Sequence, residues 1–160
     1  YANQSTLQYY WVTPLSGYGK PQMDVSLYNV LSTTYNIYVV LAPSEDYGKD
    51  ADGNVFRKPN QLDFTLSYCD AKGKLQTKKL NRKVVNNPNK VDTVAVGSFT
   101  FPVAYYGLGK KIYPNLKITT DFGVFNSAMM AKYTRDFRII SILMKPAEME
   151  EFEANATKEN

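Results

Sequence analysis

Residues 35–43 read Tyr35-Asn36-Ile37-Tyr38-Val39-Val40-Leu41-Ala42-Pro43. The run is short, rich in β-branched and aromatic side chains, and closed by a proline, which favours a β-strand over a helix. Alternate positions are mostly apolar on both faces, so both faces should be covered. A strand that is covered on both faces and paired on both edges lies inside a sheet. We therefore predict that residues 35–42 form an interior strand.

A second segment, residues 137–144, is apolar on both faces in the same way and is predicted to be another interior strand. Three further segments, 23–27, 62–69 and 116–124, alternate between apolar and polar residues, as half-buried strands do. In the middle one, this alternation places Cys69 on the polar face. A glycine at position 97 suggests a bulge in the strand predicted over 91–103.

The predicted strands number seven to nine, and no long helix is expected. Long connections at 43–61 and 102–115 favour two packed sheets over an up-and-down barrel. We predict an all-β fold, a single antiparallel two-sheet β-sandwich of the jelly-roll or Greek-key type.

The chain of 160 residues is long enough for one domain with a single core. The net charge differs in sign between the C-terminal tail and the rest of the chain. Residues 148–160 hold five Glu and one Lys, a net charge of −4, whereas residues 1–147 carry +8. The acidic tail has helix-forming residues but little to bury, so we predict a β-sandwich domain over 1–147 and a frayed helix or disorder over 148–160.

Composition excludes several kinds of chemistry. The chain has no histidine, which removes Ser-His and Cys-His catalysis and histidine-ligated metals. A single cysteine excludes an internal disulfide and a thiolate zinc cluster. The carboxylates of Asp24, Asp63 and Asp121 fall on polar strand faces, where solvation is their ordinary role. We expect no catalytic residues, no enzyme activity and no cofactor.

One loop has oxygen ligands at alternate positions, as calcium loops do: Asp50, Asp52 and Asn54. However, Val55 follows where such a loop needs glycine, and Gln61 stands where it needs a bidentate glutamate. A polar turn is therefore the favoured interpretation. We predict no metal site, with these three residues as the minority candidates.

Residues 72–90 form a basic strand with seven lysines and arginines and no acidic residue. Such a strand can bind nucleic acid or another anionic polymer. Lysines on an edge strand also prevent edge-to-edge pairing between molecules. No aromatic residue or recognition motif accompanies the charge, so edge protection is favoured and nucleic-acid binding is not.

Aromatic residues concentrate near glycine-rich loops, which is the remaining functional signal. Rings of this kind can stack on the apolar face of a sugar, or they can cap the ends of a sandwich core. If a ligand site exists, we expect it where Trp11, Tyr105 and Tyr106 meet, with Lys110 or Lys111 at the rim.

The predicted interior strand 35–42 and three other segments of the chain resemble a known class of domain. The resemblance lies in residues 21–25, 31–43, 59–66 and 136–146, the last reading Asp136-Phe137-Arg138-Ile139-Ile140-Ser141-Ile142-Leu143-Met144-Lys145-Pro146. This pattern is similar to β-sandwich domains of bacterial cell-surface lipoproteins associated with fasciclin-type adhesion modules, and more broadly to jelly-roll carbohydrate-binding modules. It implies a sandwich fold and an exported protein, at the cell surface, in the periplasm or outside the cell. It implies no catalytic or ligand-binding residues.

Three functions follow as expectations. The first is a non-catalytic surface module that binds glycans or mediates adhesion, with surface or host glycans or another protein as partner. The second is a structural spacer of a surface lipoprotein with no small-molecule ligand. The third is anionic-polymer or nucleic-acid binding through residues 72–90. In each case the membrane would be reached only through an anchor upstream of Tyr1.

Overall fold

The computed structural model describes residues 9–13, 21–104, 113–120 and 126–151. Within them the chain forms eleven strands, one helix of six residues and, after the last strand, a helical segment over residues 147–151. In chain order these are β1 (Tyr10–Val12), β2 (Gln22–Ser26), β3 (Thr34–Leu41), β4 (Tyr47–Lys49), β5 (Val55–Arg57), β6 (Gln61–Cys69), β7 (Leu75–Lys79), β8 (Val84–Val85), β9 (Asp92–Thr100), β10 (Asn115–Thr120), helix α1 (Ser127–Lys132) and β11 (Phe137–Pro146).

Two antiparallel sheets pack against each other. The first has the order β1-β11-β3-β9, and the second has the order β2-β10-β6-β7, with β8 also paired to β6. The chain passes repeatedly between the two sheets, which confirms the predicted all-β sandwich. The predicted long connection at 43–61 is not free of structure, because it contains the hairpin β4–β5.

β3, which contains most of residues 35–42, is an interior strand, as predicted. β3 pairs with β11 on one edge and with β9 on the other. Its alternate residues Tyr35, Ile37, Val39 and Leu41 are buried in the core between the sheets. Phe64 of β6, also buried, belongs to the same cluster. β11 is likewise interior, between β1 and β3.

Two strands, β9 and β11, contain a bulge that changes which of their alternate residues face the core. In β9 the pairing with β3 shifts beside Gly97, whose φ of 139° only glycine adopts readily. The predicted bulge is therefore present: Val94 and Val96 face the core before it, and Phe99 and Phe101 pack in or against the core after it. In β11 the register shifts between Ile139 and Ser141, so the extra residue Ile140 changes which positions face inward.

The expected position of Cys69 on the polar face is wrong. Cys69 is buried in the core cluster. The alternation is lost at the end of β6, where Tyr68 also turns inward and packs against Phe99 with ring centroids 4.7 Å apart. The two-residue repeat therefore does not extend over the last two residues of β6.

The helical segments are short. Residues 147–151 are helical and follow β11 directly. Glu150 in this segment accepts hydrogen bonds from Asn36 Nδ2 (2.9 Å) and from the Tyr38 hydroxyl (3.1 Å) on the outer face of β3. The rest of the predicted acidic tail, residues 152–160, lies outside the described residues. Among the described residues, no helix is long and apolar enough to cross a membrane.

Candidate functional site

The outer face of β1 carries two aromatic rings. Tyr10 and Val12 pair with Ile139 and Phe137, and Trp11 pairs with Arg138. Because successive side chains of a strand point to opposite faces, Trp11 lies on the face away from the core, and Tyr9, the residue before β1, lies over Arg138 on the same face. We call these two rings the Trp11 platform.

Both rings of the Trp11 platform remain open to solvent. Trp11 is 59% exposed and Tyr9 is 39% exposed. An exposed tryptophan is a large apolar surface with a polar N–H at one edge, which suits it to binding.

The side chain of Arg138 packs against both rings of the Trp11 platform. Its side chain is almost fully buried, with the residue 7% exposed, although it is a charged group inside an apolar strand. The guanidinium carbon lies 5.2 Å from the centroid of the Trp11 ring and 5.9 Å from that of Tyr9. Both distances fall within the range of cation–π attraction, which strengthens when the cation is removed from water. The two rings therefore cover a buried cation.

Asp136 fixes the edge of the indole. Its Oδ2 accepts a hydrogen bond from Trp11 Nε1 at 2.9 Å, and its Oδ1 accepts one from the Thr134 hydroxyl at 2.7 Å. Arg138 Nη2 lies 3.8 Å from the same carboxylate. Partial burial alone would raise the pKa of Asp136, but the hydrogen bonds from Thr134, from Trp11 and from its own backbone N–H, together with the Arg138 charge, outweigh it and hold the pKa below its usual value. Asp136 is therefore an anion at neutral pH.

The segment that carries Asp136 is itself held in place. The side-chain amide of Asn60 is buried and donates to the backbone carbonyls of Thr134 (3.1 Å) and Asp136 (2.8 Å). The backbone N–H of Asn60 donates to the Asn86 side chain at 2.8 Å. Since these bonds lie away from water, they restrain the segment before β11 and with it the indole.

A polar cavity of about 190 Å³ adjoins the platform through Asp136. Lys58 and Asp46 form an ion pair in its wall at 3.8 Å. The cavity thus offers carboxylate acceptors and an ammonium donor close to a flat ring. Its lining residues are Asp46, Lys58, Met130, Tyr133, Thr134, Arg135 and Asp136.

A larger cavity of about 450 Å³ lies on the other face of β1, between β2 and β11. Tyr10 lines it, and the side chains of Ser26 and Ser141 are its only hydroxyls besides those of tyrosines. The remaining lining is apolar, from Met23, Val25, Leu27, Ile139, Ile140, Ile142 and Met144. It has too few polar groups to satisfy a ligand rich in hydroxyls. The polar side of β1 suits such a ligand better.

Only part of the predicted ligand site can be placed. Trp11 is exposed, as that prediction required. Tyr105, Tyr106, Lys110 and Lys111 lie outside the described residues, so their approach to Trp11 stays a prediction.

The minority calcium candidates form a turn between β4 and β5. Asp50 Oδ1 accepts hydrogen bonds from the backbone N–H groups of Asp52 and Asn54, both at 2.9 Å. Gly53 adopts the left-handed conformation that completes this turn, with φ at 83°. One oxygen of Asp50 is therefore used by the backbone. Among the described residues, no three His, Cys, Asp or Glu side chains gather as a metal site would require.

Asp136 and Arg138 are the residues of the candidate site that the sequence prediction missed. Arg138 lies inside the segment 137–144, which was interpreted only as a strand, and Asp136 lies just before it. The available signal was a single arginine within the otherwise apolar run 137–144. A charge at such a position needs a partner, but the run itself does not reveal that the partner is Trp11.

Comparison of the chain with protein-family models, with curated proteins and with solved structures finds no match. The resemblance to domains of surface lipoproteins therefore stays a prediction from the sequence.

Proposed function

We propose that this chain is a non-catalytic module of an exported, cell-surface protein that binds glycans at the Trp11 platform. One observation carries the proposal: the only tryptophan of the chain is exposed, yet its edge is fixed by Asp136 and a buried arginine lies against its ring. A ring held in one orientation loses little entropy when a ligand stacks on it.

The chemistry of the neighbouring groups supports a sugar as the ligand. A pyranose has an apolar C–H face that can stack on an indole and a rim of hydroxyls that need hydrogen-bond partners. The polar cavity beside Asp136 offers such partners in Asp46 and Lys58. The carboxylate of Asp136 is occupied by Trp11 and Thr134, so we assign it a positioning role and not an acid–base role.

The test uses a panel of soluble glycans with two readouts. Fluorescence emission comes mainly from Trp11, the only tryptophan, and should change when a sugar stacks on it. Isothermal titration calorimetry gives the affinity independently. We expect at least one glycan to bind, Trp11→Ala to abolish the heat of binding, and Tyr9→Ala to weaken binding about three- to tenfold, as expected for one ring contact.

Tyr10→Ala is the matched control. Tyr10 is the same residue type on the same strand but faces the other side of β1, so its loss should leave glycan affinity unchanged. If no glycan of the panel changes the emission or releases heat, the glycan proposal is wrong and the spacer function stands. If Tyr10→Ala and Tyr9→Ala weaken binding equally, the ligand does not bind at the Trp11 platform.

A further inference from the structure

A line of basic side chains follows one edge of the second sheet. β7 pairs with β6 along Thr65–Cys69, and β8 pairs with it at Gln61 and Leu62. Residues 72–85 therefore run beside the whole length of β6, about 27 Å at the usual rise per residue. We call this surface, with Lys90 beyond it, the basic edge; its cations are Lys72, Lys74, Lys78, Lys79, Arg82, Lys83 and Lys90.

The lysines of the basic edge form no close ion pair among the described residues. None of the six has an ammonium nitrogen within 4.0 Å of a carboxylate among the described residues. The nearby carboxylates are already used. Asp63 accepts from the Lys83 backbone N–H at 2.9 Å and pairs with Arg82 at 3.9 Å. Asp70 accepts from the backbone N–H groups of Lys74 and Lys72 and from the Gln76 side chain, and these bonds together with the nearby Lys74 charge lower its pKa.

Edge protection accounts for only part of this charge. Lys78 pairs with the buried Leu66, and an exposed lysine there would block strand addition. Lys72, in contrast, lies in the hairpin turn before β7. Lys83 lies in the loop between β7 and β8 with φ at 52°, an uncommon conformation for lysine. Lys90 lies in the turn before β9. These three positions have no strand edge to protect.

We propose that the basic edge binds a linear acidic polysaccharide. An extended row of unpaired cations attracts a polyanion and gains free energy by releasing its counterions. Nucleic acid fits less well, because no aromatic residue between positions 71 and 91 could stack on a base. The helix α1 lies against β4 and not on this edge, so it supplies no groove-reading element.

The basic edge is separate from the Trp11 platform. Asn81, in the loop between β7 and β8, donates its backbone N–H to Val96 of β9 at 2.9 Å. β9 and β1 are the two opposite edges of the first sheet. The two surfaces therefore lie on opposite sides of the sandwich, and either proposal can fail without the other.

The test measures binding of fluorescein-labelled heparin by anisotropy at several salt concentrations. The edge variant is Lys74→Gln, Lys78→Gln and Lys79→Gln together. Its matched control is Lys49→Gln, Lys132→Gln and Lys145→Gln, which removes the same charge from exposed lysines outside the second sheet. We expect the edge variant to bind at least tenfold more weakly at 50 mM NaCl, and the control less than twofold. The slope of log K against log salt should fall by about 1 for each contacting lysine.

A second variant avoids disturbing β7. Lys72→Gln, Lys83→Gln and Lys90→Gln lie in turns and loops, and we expect a similar loss of affinity without self-association. Equal losses in the edge variant and its control would mean a diffuse charge effect and would overturn the proposal. So would an edge variant that keeps its affinity but aggregates, because its lysines would then serve edge protection. Displacement of heparin by duplex DNA at equal charge concentration would refute the polysaccharide assignment.

Discussion

Asp136 links the exposed ring of Trp11 to the buried charge of Arg138. A guanidinium buried inside an apolar strand is tolerated only when nearby groups compensate its lost hydration. Here the compensation comes from one carboxylate and two ring faces. Arg138 Nε is nevertheless buried without a hydrogen-bond partner among the described residues. Few groups therefore compensate the buried charge of Arg138, and substitution of Asp136 should lower the stability of the fold clearly.

Asp136→Asn should lower the free energy of unfolding by about 2 kcal/mol at pH 7, because Arg138 would stay buried without a full counter-charge. Urea denaturation measures this loss. Asp24→Asn is the control, since Asp24 is exposed and bonded only to polar side chains at the surface; its effect should stay within about 0.5 kcal/mol.

The pH dependence of that difference follows from the direction of the pKa shift. The pKa of Asp136 is lower in the folded state, so its contribution is fully present above the unfolded value of about 3.9 and is lost as pH falls through the folded value. The difference in free energy of unfolding between the wild type and Asp136→Asn should therefore become smaller below about pH 4. A difference that stays constant down to pH 2 would mean that the carboxylate charge does not stabilise this site.

At the scale of elements, the chain uses one turn twice. Asp50-Ala51-Asp52-Gly53 joins β4 to β5, and Asp70-Ala71-Lys72-Gly73 joins β6 to β7. In both turns the first aspartate accepts from the backbone N–H groups two and four residues ahead, and the glycine has positive φ. The second turn forms with lysine where the first has Asp52. The turn therefore needs no cation, which is a physical reason to prefer the polar-turn interpretation.

We expect calcium to leave the melting temperature unchanged, because a ligand that bound only the folded state would have to raise it. Melting curves recorded with calcium and with a chelator should coincide. Asp50→Ala and Asp70→Ala should each lower the melting temperature, because each removes the hydrogen bonds that its carboxylate accepts in the turn. A rise of several degrees with calcium that Asp50→Ala abolishes and Asp70→Ala retains would identify a real calcium site.

At the scale of the whole molecule, the sequence was sufficient where the signal is local. β3 and β11 could be predicted because uninterrupted apolar runs mean burial on both faces. The candidate site could be predicted only as far as Trp11, since the indole meets Asp136 across 125 positions of sequence. The contact of Glu150 with Asn36 spans 114 positions and was equally hidden. Hydrophobic periodicity predicts which face of a strand a side chain lies on, but it does not predict which distant residue that side chain contacts.

The sandwich also makes its core the most sensitive part of the molecule. Val39 is fully buried at the centre of β3, between β11 and β9. Val39→Asp would place a carboxylate there with no partner, at a cost of several kcal/mol, enough to unfold a typical domain. The control is Val55→Asp on β5, where the valine is 64% exposed and the same change should stay within about 0.5 kcal/mol. Circular dichroism and urea denaturation compare the two variants, and a Val39→Asp protein that is soluble and unfolds cooperatively would contradict the interior position of β3.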